Sequence, residues 1–299
     1  MQDLVFCFDV GGTNCKVGVL NKSGELIKWW KTSSRPFTDP ETFLGALKEQ
    51  INRFQDFKNF NAISIGVPGL VREDGVVVES PNLPLWKNFE VARIIRQAFD
   101  VKVYVENDAN LFTLGEGFSG SAREFKSYIG ITIGTGIGGG IVIDGKLLKG
   151  QKGMAGEIGH MVIHPNGPLC GCGNKGCLEA YSSGTAMKNQ MLQLTGLSLE
   201  PEDIFNLAKK GDKKALKIFE RAGYHLGIGI ANLVNILDIS CVIIGGGISE
   251  AFEIMLNEIR KGFKEHTFKT HFETTVINKT SLKELAPLYG AYRLTDLKS

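Results

Sequence analysis

Two segments of the chain repeat one outline. Residues 4–28, LVFCFDVGGTNCKVGVLNKSGELIK, read as strand, glycine turn, strand, polar turn, strand. Residues 127–150, SYIGITIGTGIGGGIVIDGKLLKG, read the same way, with a GTG turn and a DG hairpin turn. Both place Gly and Thr between β-branched runs, and internal duplication of a hairpin unit is a signal at the level of the fold. In a tight hairpin, glycine N–H groups and a threonine hydroxyl approach an anion closely, which makes a phosphate cradle without a helix. Two such cradles suit a nucleotide gripped from both sides.

Neither turn fits the Walker pattern, G-x4-G-K-[ST]. GTGIGG matches G-x-G-x-x-G by letters, but strand-like Ile141-Val142-Ile143 follows it where a dinucleotide-binding turn needs a helix. A third glycine run, VIIGGGIS at 242–249, lies between a buried strand and a helix. Ser249 is the expected N-cap of that helix, and Gly245–Gly247 leave room for a flat adenine or a ribose.

The chain has 299 residues, 43% hydrophobic and 22% charged, enough for two domains or one large one with a real core. A formal charge of +2 without a concentrated basic face argues against nucleic acid as a partner. Asp3 stands where a signal peptide carries Lys or Arg. The apolar tract Leu226–Ile248 is interrupted by Asn232, Asn235 and Asp238, so a buried helix and a buried strand are expected rather than a membrane span. A cytoplasmic protein is expected, and there clustered thiols are more often metal ligands than disulfides.

Three of the six cysteines, Cys170, Cys172 and Cys177, stand in a C-x-C-x4-C spacing among glycines 167, 171, 173 and 176. The glycines let the backbone turn three thiolates toward one point. His160 completes a Cys3His set, a closed tetrahedral zinc site with no position open for water. His164 competes as fourth ligand, although Pro165 restricts its backbone. Buried cysteines acting as small apolar residues are the alternative to a metal site. Glu157 and Glu179 flank the loop, and two acids on a rigid clip suit the vicinal hydroxyls of a sugar.

Residues 101–117, VKVYVENDANLFTLGEG, are an alternating strand that ends at Glu106-Asn107-Asp108 and passes into a helix. Acids just past a strand's carboxyl end are where α/β folds place chemistry. Asp108 is either the helix N-cap or a base that accepts a hydroxyl proton in phosphoryl transfer. Asp9, at the end of the first strand, is the candidate to hold Mg²⁺ directly or through water.

The chain resembles the ROK family of sugar kinases and regulators, within the actin-like ATPase fold. The resemblance rests on Asp9-Val-Gly11-Gly12-Thr13 with Lys16, Gly66-Val-Pro68-Gly69 and Glu106-Asn107-Asp108-Ala-Asn110. It continues through Gly134-Thr135-Gly136-Ile-Gly138-Gly139-Gly140, Glu157-Ile-Gly-His160, Cys170-Gly-Cys172-Gly-x-x-Gly-Cys177-Leu-Glu179 and Gly245-Gly246-Gly247. The resemblance implies that Asp9, Gly11, Gly12, Thr13, Lys16, Thr135 and Gly136 serve the ATP phosphates and Mg²⁺, with Gly246 and Gly247 near the adenosine. It implies Asp108 as the base, and Gly69, Asn82, Asn107, Glu157, His160 and Glu179 around the sugar. His160 then serves two sides, one ring nitrogen on zinc and the other on a hydroxyl.

The expected architecture is a two-domain actin-like ATPase (ribonuclease H-like) α/β fold with a cleft between domains and a zinc-bound loop. The first domain spans 1–110 and is completed by a C-terminal helix at 285–299; the second spans 111–284. The expected activity is transfer of the ATP γ-phosphate to the 6-hydroxyl of a hexose, glucose first, with N-acetylmannosamine or N-acetylglucosamine as the alternatives. A sugar-sensing repressor is the rival reading, but only eight residues precede Asp9, too few for a helix-turn-helix. No basic run suits polyphosphate as donor. The family resemblance suggests a homodimer or homotetramer.

Overall fold

The hairpin duplication runs through two whole sheets of the computed structural model, which describes residues 4–54 and 60–297. Asp3 and the last two residues of the expected C-terminal helix lie outside the described residues. The chain divides into two units, one formed by residues up to Arg123, Leu147–Ala155 and residues from Glu284, the other by Glu124–Lys146 and Gly156–Lys283.

Unit 1 contains β1 (Val5–Val10), β2 (Asn14–Leu20), β3 (Leu26–Ser33), α1 (Pro40–Asn52), β4 (Ala62–Val67), β5 (Leu70–Val71), β6 (Val77–Glu79), α2 (Val91–Phe99), β7 (Lys102–Asn107) and α3 (Asp108–Ser119). Its main sheet has the order β3-β2-β1-β4-β7. Unit 2 contains β8 (Tyr128–Ile133), β9 (Ile137–Ile143), then α4 (Glu179–Ser182), α5 (Gly184–Thr195), α6 (Pro201–Lys209), α7 (Lys213–Leu237), β11 (Cys241–Gly245), α8 (Phe252–His266), α9 (Lys269–Thr274) and β12 (Val276–Lys279). With β10 (Lys146–Leu147) its sheet has the order β10-β9-β8-β11-β12, the same arrangement as the first. In both sheets an antiparallel hairpin leads and two parallel strands follow. The central strands are buried throughout and largely apolar, as strands covered on both faces are, with Asp9 the charged exception in β1.

Unit 1 is completed by α10 (Ala286–Leu297), which packs on α3 backbone to backbone. A Cβ on Gly115 would lie 1.9 Å from the Ala286 carbonyl oxygen, and one on Gly290 would lie 1.7 Å from that of Leu111. This close packing carries the unit to Arg123 rather than to residue 110. The 147–155 segment, assigned above to the second domain, also belongs to the first.

The long apolar tract divides at Asp238, whose left-handed φ of 52° ends α7 before β11 begins. Among the described residues no helix is long and apolar enough to cross a membrane. Ser249 is not a helix N-cap: it lies within a 3₁₀ turn, Gly247–Ala251, and α8 starts only at Phe252. Gly246 occupies the turn instead, because at φ 83° it runs against the Ile133 backbone and a Cβ would lie 2.3 Å from that carbonyl oxygen.

Candidate active site

In unit 1 the sheet register sets Lys16, Asp9, Gly66 and Glu106 side by side across β2, β1, β4 and β7. The Lys16 ammonium donates to Asp9 Oδ2 at 2.6 Å. Burial lowers the Lys16 pKa, but the Asp9 carboxylate beside it more than compensates and leaves it above its usual value. The β1–β2 turn is closed by the Gly11 N–H on the Asn14 carbonyl at 3.0 Å, and Gly12 and Thr13 stand exposed at its tip. A Cβ on Gly12 would meet nothing within 4 Å, so the turn presents open backbone.

The turn from β7 into α3 shows how Asp108 is presented. Asn107, not Asp108, is the cap: its side chain accepts from the N–H groups of Ala109 and Asn110 at 2.9 and 3.2 Å. Its amide donates to the Gly69 carbonyl at 3.1 Å. Asp108 is thereby freed from capping and becomes the first residue of the helix, half-buried, with Oδ1 accepting from the Ala109 N–H. Burial and the nearby charge of Asp9 push its pKa up to about 6, against the Ala109 N–H and Lys16, which pull it down. Gly69, at φ 106°, lies where a Cβ would sit 2.3 Å from the Glu79 carbonyl, and Asn82 is exposed on the loop just beyond. Asp9, Lys16, Gly69, Asn107 and Asp108 are thus joined through direct or shared contacts within one unit.

In unit 2 the Gly134-Thr135-Gly136 turn is closed by the Gly134 N–H on the Gly136 carbonyl at 2.9 Å. The first turn of α5 holds it from behind, with the Gly184 N–H on the Gly134 carbonyl and the Thr185 hydroxyl on that of Thr135. Thr135 and Gly247 line one cavity of about 910 Å³, whose wall includes Phe205 and Phe219. That volume suits a nucleotide-sized ligand.

The E-I-G-H and GTGIGGG motifs form one packed body. A Cβ on Gly159 would stand 2.2 Å from the Ile137 carbonyl, and one on Gly139 would stand 2.3 Å from the Ile158 side chain. His160, half-buried, turns Nδ1 toward Cys170 Sγ at 3.7 Å, and Cys172 Sγ lies 3.7 Å from Cys177 Sγ. The ligand atoms of these four residues all lie within 4.8 Å of one another. Zinc–sulfur bonds of about 2.3 Å at tetrahedral angles separate sulfurs by about 3.8 Å, so the set fits Zn²⁺. His164 stands apart, its ring against Tyr181 and His225 at 5.4 and 5.5 Å. Glu157 is exposed at the start of the His160 turn, and Glu179 is half-buried two residues beyond Cys177.

The ROK family pattern matches residues 5–297. The chain belongs to the ROK family. It is 35% identical over 298 residues to a glucokinase of Thermotoga maritima, covering 95% of this chain and 94% of that one. A xylose repressor of Caldicellulosiruptor bescii is 33% identical, covering 97% of this chain and 78% of its own. The ROK family glucokinase of Streptomyces griseus, solved in complex with glucose and AMPPNP, superposes with a TM-score of 0.84 at 32% identity, covering 97% of this chain and 98% of that one. The two α/β units are therefore those of the actin-like ATPase fold.

The structure adds to this ROK chain a partner, Lys149, that its sequence does not single out, and with it a role for Glu106. Glu106 is 2% exposed and pairs through Oε2 with Lys149. Its Oε1 accepts from the Asn107 N–H and the Asn110 amide, both at 3.0 Å. The pair thus anchors the turn that presents Asp108. Lys149→Met leaves a buried carboxylate without its cation. It is expected to lower kcat about tenfold by misplacing Asp108, with Lys149→Arg recovering most of the rate. Steady-state kinetics of both variants check this, and a Met variant with unchanged kcat counts against the role.

Proposed function

We propose that this protein is an ATP-dependent hexose kinase that transfers the γ-phosphate to the 6-hydroxyl of a hexose, with glucose as the sugar. The observation that carries the reading is Asp108, a half-buried carboxyl relieved of capping duty by Asn107 and raised to about 6 beside the Asp9–Lys16 pair. A base of that strength is ionised at neutral pH and takes a proton from a hydroxyl as that oxygen attacks phosphorus. In this reading Asp108 and Asn107 receive the 6-hydroxyl end of the sugar, bordered by Gly69 and Asn82. Glu157, Glu179 and the second ring nitrogen of His160 take other hydroxyls.

The turns at Gly11–Thr13 and Thr135–Gly136 offer backbone N–H groups to the phosphates, and Gly246 and Gly247 border the adenosine. Lys16 occupies only one Asp9 oxygen. The other suits Mg²⁺, which keeps most of its waters and neutralises phosphate charge when bound. His160, Cys170, Cys172 and Cys177 hold Zn²⁺ in a closed set, so the metal orients the loop without activating water. The reading includes a cytoplasmic homodimer or homotetramer.

ADP release, followed by a coupled assay across glucose, mannose, fructose, N-acetylglucosamine and N-acetylmannosamine, tests the proposal. Glucose is expected to give the highest kcat/KM. No turnover with any of the five would reject the kinase reading, and a preference for an N-acetylated sugar would reassign the substrate.

A further inference from the structure

Glu179 is the first residue of α4, yet its carboxylate caps nothing there and reaches away from the helix. Its Oε2 accepts the Ile137 N–H at 2.9 Å. That N–H belongs to the residue closing the Gly134-Thr135-Gly136 turn, so the turn is tied to a side chain 42 positions further on. The carboxylate also explains the glycine beside it: a Cβ on Gly136 would stand 2.4 Å from Oε2. Its other oxygen, Oε1, lies 3.5 Å from Cys170 Sγ, within the cysteine cluster.

We propose that Glu179 is a positioning residue for the nucleotide cradle, its carboxylate clamping the turn at Gly134–Ile137 and making the shape of that turn depend on the cysteine–histidine loop. The inference rests on the kinase reading for what the cradle binds, but the clamp itself rests only on the geometry above. Ile137 is buried, so its N–H needs a partner, and a buried donor left unpaired is costly.

The two oxygens divide the work. Oε1 stands beside the Cys170 sulfur, at the edge of the cysteine–histidine cluster. Oε2 keeps the Ile137 N–H, and Oε1 is the oxygen left for a sugar hydroxyl. A hydroxyl on Oε1 then steadies the group that holds the cradle. Sugar and nucleotide affinities become linked through one carboxylate, and such linkage acts equally in both directions.

Three variants separate this role from simple sugar binding. Glu179→Ala removes the acceptor. Glu179→Gln keeps a carbonyl oxygen that takes the Ile137 N–H. Gly136→Ala adds the methyl group that displaces Oε2 from the cradle side. Hydrogen exchange of the 134–137 backbone, measured without ligands, is expected to quicken in Glu179→Ala and stay near wild type in Glu179→Gln. AMPPNP affinity, measured by calorimetry without sugar, is expected to fall about tenfold in the Ala variant, the loss of one satisfied donor, and within about twofold for Gln. Gly136→Ala is expected to weaken glucose binding measured without nucleotide by about fivefold or more.

Unchanged exchange and unchanged AMPPNP affinity in Glu179→Ala overturn the clamp, as does a Gly136→Ala protein with wild-type glucose affinity. If the Ala variant does not fold, the Gln and Gly136→Ala arms still decide. A wild-type protein that binds neither ligand but shows the expected exchange pattern overturns the kinase reading and supports the clamp.

Discussion

Asp108→Asn is expected to lower kcat by about 10²–10⁴-fold, the usual cost of losing a general base. Glucose affinity should stay within about threefold, because the amide keeps the shape of the carboxyl and its bond to the Ala109 N–H. A variant with more than a tenth of the wild-type kcat would remove Asp108 from the base role. The same residue sets the pH response. With its pKa raised to about 6, the base form is lost and kcat falls as pH drops through that value. Stability moves the other way: the folded pKa lies above the usual 3.8, so stability declines as pH rises from 3.8 to about 6 and the full penalty stands above it. Asp108→Asn lacks the penalty. It should raise Tm at pH 7.5 by about 2–4 °C, the shift produced by about 1 kcal/mol in a domain of this size. Calorimetry on the inactive variant reads this directly.

Cys172→Ser is the second variant with a large expected effect. Cys172 is exposed, so the exchange removes a metal ligand without opening a hole in the core. Wild-type protein should carry one zinc per chain, and the variant much less, by elemental analysis. Loosening of the 160–177 loop moves Glu179 and the His160 ring together, and displacement by about an ångström costs about 100-fold in kcat/KM. Glucose binding should suffer most. AMPPNP binding should weaken as well, because the Ile137 N–H depends on the same carboxylate. Full activity in zinc-free protein, or a chelated form that keeps its glucose affinity, would sink this account.

Much of this arrangement is legible in the sequence because it is carried by short-range patterns. Alternating β-branched residues around Gly-Thr turns mark β1–β2 and β8–β9, and Asp238 marks the break between α7 and β11. The cysteine spacing with its glycines points to one cluster by itself. What escapes is pairing over distance. Nothing near Lys149 marks it as the partner of Glu106, since an ion pair formed across separate elements leaves no period. The acceptor for the Ile137 N–H is hidden for a different reason: a backbone donor is the same at every residue and carries no letter. The boundary at Arg123 is set by α3 against α10, a contact that glycine makes through what it lacks. Ser249 shows the opposite error, a good capping letter in a place where the backbone has already turned at Gly246.

The packing of α10 against α3 also bears on the order in which the molecule can be built. A ribosome delivers β1, β4, β7 and α3 early, and domains as a rule fold as they emerge. Here the partner of α3, and the cover for β1, β2, β4 and β7, is α10, synthesised only after the whole of unit 2. The nascent unit 1 must therefore wait with its Gly115 groove unfilled, and the part that carries Asp108 becomes complete only after all of unit 2 has been made.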